Sequence, residues 1–385
     1  CELTIIGVEV SESLDLIRAY VVVKIDFRYK YACKKGCGDT VRRAPPPHRP
    51  LDKTMVTSSL LSDMLVKKYE DHLPLYRQSQ IWGRIGVNIS RMTLSNWFLA
   101  CASKIEPLID AMRIDINNSD YVCSDETTVN VLKVSGTNYM WVHMTGSRKN
   151  RAIVFEYQES RQGESASNFL SDFTGHHQCD GYSGYNDLHG KDKVIGVGCM
   201  AHARRKFMAV VKIAKKSGVA HRVVNIMKGL YKIEKQIIDL PPDKIKEIRQ
   251  KKSKPIMDKL HKILLDYKER TPPSGSLGIA INYTLNQWEK LCAYLDDGKI
   301  RIDNNDAERA IKPFVIGRKN WMFSNSVKGA EASSIIYSII ETCKANKINS
   351  YDYLQYILDN IHKADNEDQL RAMLPYNVDT KLLKS

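Results

Sequence analysis

Residues 119–157 read SDYVCSDETTVNVLKVSGTNYMWVHMTGSRKNRAIVFEY, and the fold turns on this stretch. Before it, apolar residues recur at helical spacing; within it the period falls to two. Residues 121–123, 129–134, 139–144 and 153–157 are expected as successive strands, with Gly136 and Gly146 in the turns. A short helix over 165–173 should follow, then a strand ending at Cys179-Asp180-Gly181 and another over 194–199. Strands, helix, strand, strand and helix in that order predict an α/β domain.

Upstream, residues 51–113 carry a helical pattern. A helix over 75–85, a turn at Gly86-Val87-Asn88 and a second helix capped by Ser90, running through Met92, Leu94, Trp97, Phe98 and Cys101, have the layout of a helix-turn-helix. Its outward side chains would be Arg91, Thr93, Ser95 and Asn96; an ordinary helical hairpin fits equally well. Before it, Ala44-Pro45-Pro46-Pro47-His48-Arg49-Pro50 reads as a stiff linker. The alternating run Tyr20-Val21-Val22-Val23-Lys24-Ile25-Asp26-Phe27 predicts a strand, and Cys33-x3-Cys37 with Cys1 suggests either a thiolate metal site, zinc being the usual ion, or free thiols. Downstream, 305–311, 330–345 and 351–362 are expected as helices.

The chain has 385 residues, 43% of them hydrophobic, enough for more than one domain around a sizeable core, and disorder is excluded. Lys and Arg exceed Asp and Glu, 58 to 44, for a net charge of +14. That balance points to a polyanion, nucleic acid before lipid. Residues 191–270 alone hold 22 Lys and Arg against 8 Asp and Glu, a surplus equal to that of the whole chain. Their apolar residues Val223, Ile226, Met227, Leu230, Ile233 and Ile237 fall at helical spacing, so the cations occupy outward faces suited to phosphates. The longest apolar runs fall far short of the ~20 residues of a membrane span. Nine cysteines over so long a chain fit a reducing compartment. The chain opens at Cys1 rather than Met, which reads as a fragment or a processed start.

Three acidic residues stand out by placement. Asp125 lies in the first strand region, Asp180 ends a later strand, and Glu308 sits in Asn304-Asn305-Asp306-Ala307-Glu308-Arg309 at a helix start. Carboxylates at strand ends of an open α/β sheet suit hard cations such as Mg²⁺. Each also has a plain reading: Asp125 and Asp180 as turn residues, Glu308 as the far end of a capping box begun by Asn305. Rival carboxylates are Glu126 for the first position, Asp187 or Asp192 for the second, and Asp303 or Asp306 for the third.

Several strings stand out together: Ser124-Asp125-Glu126-Thr127, Asp180-Gly181-Tyr182-Ser183-Gly184-Tyr185-Asn186, Gly198-Cys199-Met200-Ala201-His202-Ala203-Arg204-Arg205-Lys206-Phe207, and Asn304 to Lys312. Tyr69-x-Asp71-His72-Leu73-Pro74-Leu75-Tyr76-Arg77-Gln78 and Gly317-Arg318-Lys319-Asn320-Trp321 belong to the same set. In this order they resemble bacterial DDE transposases of the insertion-sequence family numbered sixty-six. The resemblance spans about residues 30 to 360. It implies a ribonuclease-H-like catalytic core, with Asp125, Asp180 and Glu308 as catalytic acids holding two Mg²⁺ or Mn²⁺ ions. It further implies Mg-dependent cleavage of DNA ends and transfer of the freed 3′-hydroxyl into target DNA. Two departures stand out: the family's N-terminal knuckle has two Cys pairs where this chain has Cys1, Cys33 and Cys37, and Met200 replaces a usual aromatic.

On this reading residues 1–44 are a Cys-containing, zinc-ribbon-like remnant and 45–50 a linker. Residues 51–115 form the helix-turn-helix region, 116–200 the first part of the core, and 201–300 a basic helical insertion. Residues 301–346 return to the core with the Glu308 helix, and 347–385 form a helical tail. Candidate DNA contacts are Arg91, Thr93, Asn96, His202, Arg204, Arg205, Arg309, Lys312, Arg318 and Lys319. Double-stranded DNA, further copies of the chain and accessory proteins of the same element are the expected partners, and the bacterial cytoplasm and nucleoid the expected location. A nuclease or resolvase on the same fold, and a non-catalytic DNA-binding regulator, remain open alternatives.

Overall fold

The computed structural model describes residues 11–15, 20–32, 41–214 and 216–383. Cys1, Cys33 and Cys37 lie outside them. Residues 20–27 do not form the expected strand: their side chains find no apolar face to cover, and Val23 is 87% exposed. Pairing occurs further on, where β1 (Lys30–Tyr31) meets β2 (Arg42–Arg43) antiparallel.

Three helices precede the main sheet: α1 (Ser58–Tyr69), α2 (Leu75–Arg84) and α3 (Arg91–Asn117). Gly86, at φ +86°, makes the turn after α2, and the Ser90 hydroxyl accepts the Thr93 N–H at 3.1 Å to start α3. α3 is far longer than a helical hairpin needs, because its apolar side chains from Leu94 to Ile116 stay buried along the core.

The sheet has five strands in the order β5-β4-β3-β6-β7. β3 (Tyr121–Val129), β4 (Asn138–Thr145) and β5 (Ile153–Gln158) form an antiparallel meander; β6 (Gly175–Gln178) and β7 (Val194–Val197) then add parallel on the other side of β3. Two short helices, α4 (Glu164–Phe169) and α5 (Asn186–His189), make the crossovers. The strand expected over 129–134 does not form. β3 instead runs unbroken through Asp125 to Val129, and the chain then turns so that Asn130 and Leu132 bond the backbone of Ser324 at 2.8 and 3.0 Å.

Between β7 and the last sheet-covering helices lie α6 (Met200–Ile213), α7 (Val219–Ile237), α8 (Pro242–Ile248), α9 (Lys254–Lys268), α10 (Ser276–Asn286) and α11 (Trp288–Cys292). The chain returns through α12 (Asn305–Trp321) and α13 (Val327–Ala345), then ends in α14 (Ser350–Asn360) and α15 (Glu367–Ala372). α12 packs on β3 and β4, α13 on β5 and α3. One hydrophobic core runs from Leu51 to Leu383, so the early helices and the sheet share it. No helix among the described residues is long and apolar enough to cross a membrane.

The outer edge of β5 is closed by side chains. Ser338 accepts the Phe155 N–H at 2.7 Å, and Thr342 both accepts from Ile153 N and donates to Ile153 O at 3.0 Å. Polar residues on the buried face of α13 thereby satisfy strand groups that would otherwise stay unpaired.

Candidate active site

β3 and β6 are parallel neighbours with Cys123 opposite Gln178. Two residues further along each chain stand Asp125 and Asp180, so the register brings the two acids side by side. Asp180 uses Oδ1 to accept the Tyr182 N–H at 2.8 Å, and Asp125 Oδ1 accepts the Glu126 N–H at 3.0 Å. Glu308 arrives in the first turn of α12. That end is fixed by Asn304, whose Nδ2 donates to Ser124 O at 2.8 Å and whose N–H donates to Cys199 Sγ at 3.2 Å. Glu308 is not a capping-box residue: its carboxylate faces Arg205 Nη2 at 3.2 and 3.4 Å and lies 3.5 Å from His202 Nδ1.

Burial pushes the Asp125 carboxyl up to about 8, and the negative charges of Glu126, Asp180 and Glu308 push in the same direction. Among the described residues, the groups whose ligand atoms all fall within 4.8 Å of one another are Cys199-His202-Glu308 and His177-Cys179-His189; the three acids are more widely spaced.

Among the rival carboxylates, Glu126 and Asp306 are engaged by arginines. Glu126 is buried between Arg161, at 2.5 and 2.9 Å, and the Tyr185 hydroxyl at 2.6 Å. Asp306 is held by Arg151 at 2.9 Å, by Arg301 at 2.8 Å and by Arg309. Asp303 accepts the Asn305 N–H, and Asp187 and Asp192 are exposed on and after α5.

The candidate DNA contacts divide. Arg205 lies on Glu308 and within 3.1 Å of His202 Nε2. Arg204 packs over the Tyr231 ring. Arg309 is taken by Asp306, and Arg318 is bound to Thr127 Oγ1 at 3.2 Å and Thr128 Oγ1 at 2.7 Å, so both are engaged within the chain. Lys312, Lys319, Arg91 and Asn96 are exposed, and Thr93 pairs with Ser90 at 2.9 Å.

Two features escaped the sequence reading. Tyr283 of α10 presses on Gly181, where an added Cβ would lie 2.6 Å from the phenol oxygen. Behind Ser124 runs a hydrogen-bonded chain of direction set by Lys290, which can only donate. Lys290 Nζ donates to His189 Nδ1 at 2.9 Å, His189 Nε2 to His177 Nδ1 at 2.9 Å, His177 Nε2 to Ser124 Oγ at 2.9 Å, and Ser124 Oγ to His143 Nδ1 at 2.7 Å. Burial holds all three imidazoles neutral, lowering His189 to about 4, His143 to about 3 and His177 well below its ordinary value. The adjacent pair His176-His177 in a short strand was the available signal.

Residues 53–332 match the family described as "Transposase IS66 family", and residues 338–376 match "IS66 C-terminal element". The chain belongs to the IS66 transposase family. Similar relatives come from Sinorhizobium fredii. "Uncharacterized protein y4jD" is 35% identical across 97% of this chain and 76% of its own length; "Uncharacterized protein y4qI" is 30% identical across 98% and 72%. Membership of the IS66 family carries a transposase role and, with it, DNA as partner.

Proposed function

We propose that this IS66 transposase cuts DNA at element ends and joins the freed 3′-hydroxyl to target DNA, using Asp125, Asp180 and Glu308 on a ribonuclease-H-like core. The observation that carries the reading is the approach of Asp125 on β3, Asp180 after β6 and Glu308 on α12 to one another, close enough that the charges of Asp180 and Glu308 add to burial in raising the proton affinity of Asp125. Support for the fold comes from the strand order, with an antiparallel meander followed by two parallel strands, the first acid on the central strand and the third on a helix packed over it.

An all-oxygen donor set fits a hard divalent ion, and Asp125, Asp180 and Glu308 are the residues that would hold two of them. Bound there, Mg²⁺ or Mn²⁺ supplies activation of the attacking hydroxyl and charge neutralisation at the leaving oxygen. The chain's own contribution is positional. The β3–β6 register orients Asp125 and Asp180, Asn304 sets the helix of Glu308, and Arg205 and His202 lie where a scissile phosphate would approach. The cations of α6 to α9 provide phosphate contacts, and the α2–α3 hairpin offers Arg91 and Asn96 to the element ends.

The test uses DNA carrying an element end. Asp125→Asn, Asp180→Asn and Glu308→Gln should each retain DNA binding and lose Mg²⁺-dependent nicking and strand transfer. Nicking without joining by the unaltered chain would favour a nuclease; full activity in any of the three variants removes that residue from the role.

A further inference from the structure

Cys199 directly precedes α6 and His202 follows three residues later, so both side chains fall on one face of the first turn. The first turn of α12 meets that face, and the Cys199 thiol, a His202 nitrogen and a Glu308 carboxylate oxygen all lie within 4.8 Å of one another. We propose that these three residues form a site for a divalent transition ion of the zinc or cobalt class, distinct in donor chemistry from the all-oxygen set of the acids. It shares Glu308 with the proposed active site but stands on Cys199 and His202.

Sulfur, nitrogen and oxygen donors together select Zn²⁺, Co²⁺ or Fe²⁺ over Mg²⁺, and three protein ligands with a fourth position open are the pattern of a reactive zinc site. Two further observations favour this corner. His202 Nδ1 is buried without a hydrogen-bond partner, 3.5 Å from Glu308 Oε1, and so is aimed into the cluster. The Asn304 N–H points at Cys199 Sγ at 3.2 Å, as donors to a metal-bound sulfur do. The other cluster, His177-Cys179-His189, lacks this freedom. The Lys290 ammonium fixes the His189 proton on Nε2, and that proton is spent on His177 Nδ1. At the proposed site the competing cation is Arg205, which contacts both Glu308 and His202 Nε2, so an incoming ion must displace it.

The experiment titrates the full chain, stripped of metal with a chelator, with Co²⁺ and records its absorption. The expected result is a thiolate-to-cobalt charge-transfer band with the strong visible bands of a four-coordinate ion. Cys199→Ser should abolish that charge-transfer band, and His202→Gln should keep it while weakening cobalt affinity by at least ~10-fold, the scale found when even outer-shell partners are lost. Arg205→Gln should tighten cobalt binding, and circular dichroism checks that each variant is folded. Asp125→Asn should leave the band intact even if it abolishes nicking, which separates this proposal from the active-site reading. A band that survives Cys199→Ser, a purely octahedral oxygen spectrum in the unaltered chain, or unchanged affinity in both His202→Gln and Arg205→Gln would overturn it.

Discussion

The side-chain amide of Asn304 donates to the backbone carbonyl of Ser124 at 2.8 Å, joining the residue before the Glu308 helix to the residue before Asp125. Asn304 is 1% exposed, so the bond is made in a dry setting where an orphaned carbonyl is costly. Asn304→Ala should cost about 1–3 kcal/mol by urea denaturation. It should cut DNA nicking by more than that loss of folded protein explains, because Glu308 is no longer held over β3. Equal losses in stability and activity would argue against this positional role.

Gly181 leaves no room for a methyl group beneath Tyr283. Gly181→Ala should destabilise the protein by about 1–3 kcal/mol, the usual range for overpacking. Adding Tyr283→Ala removes the clash, so the double variant should recover part of the loss. Additive destabilisation in the double-variant cycle would show that the contact does not limit this position.

Asp125 makes stability depend on pH in a direction opposite to that of most carboxylates. Its folded pKa of about 8 lies above the ordinary value of 3.8. Below about pH 4 both folded and unfolded chains are protonated and nothing is lost; between there and about pH 8 the unfolded chain ionises first and the fold is progressively penalised. In buffer without divalent ions, the melting temperature of Asp125→Asn should therefore rise above that of the unaltered chain as pH climbs through this window. A constant difference between pH 4 and pH 9 would contradict the assignment.

Asp306 serves the fold instead. Its carboxylate is 6% exposed and held by Arg151, Arg301 and Arg309, so Asp306→Asn takes the shared partner from two half-buried guanidiniums and one exposed one. The expected cost is on the order of 3 kcal/mol, at neutral pH as well as at pH 9. Calorimetry on the two variants side by side would distinguish an acid that serves the fold from one that strains it.

Much of this was legible in the chain. Apolar and aromatic runs over residues 139–144 and 153–157, with Gly136 and Gly146 in the turns, announced β4 and β5, and the Gly86 turn with its Ser90 cap fixed where α2 ends and α3 begins. The acids of the candidate site were visible as chemistry set at element ends. β3 was harder, because Ser124-Asp125-Glu126-Thr127 interrupts the apolar pattern; the strand persists there because Arg161, Tyr185 and Asn304 satisfy its polar groups. Residues 20–27 misled in the other direction, since alternation alone cannot supply a surface to pack on. Arg318 looked like a free phosphate ligand, and only the folded chain reveals that it grips Thr127 and Thr128.

The hydroxyls that α13 lays along β5 reach beyond the stability of that strand. An uncovered margin there would be a template for a strand from another molecule, and the row formed by Ser338 and Thr342 removes that invitation. That flank is therefore poorly suited to joining copies of the chain by strand pairing, which keeps it out of the path toward fibres.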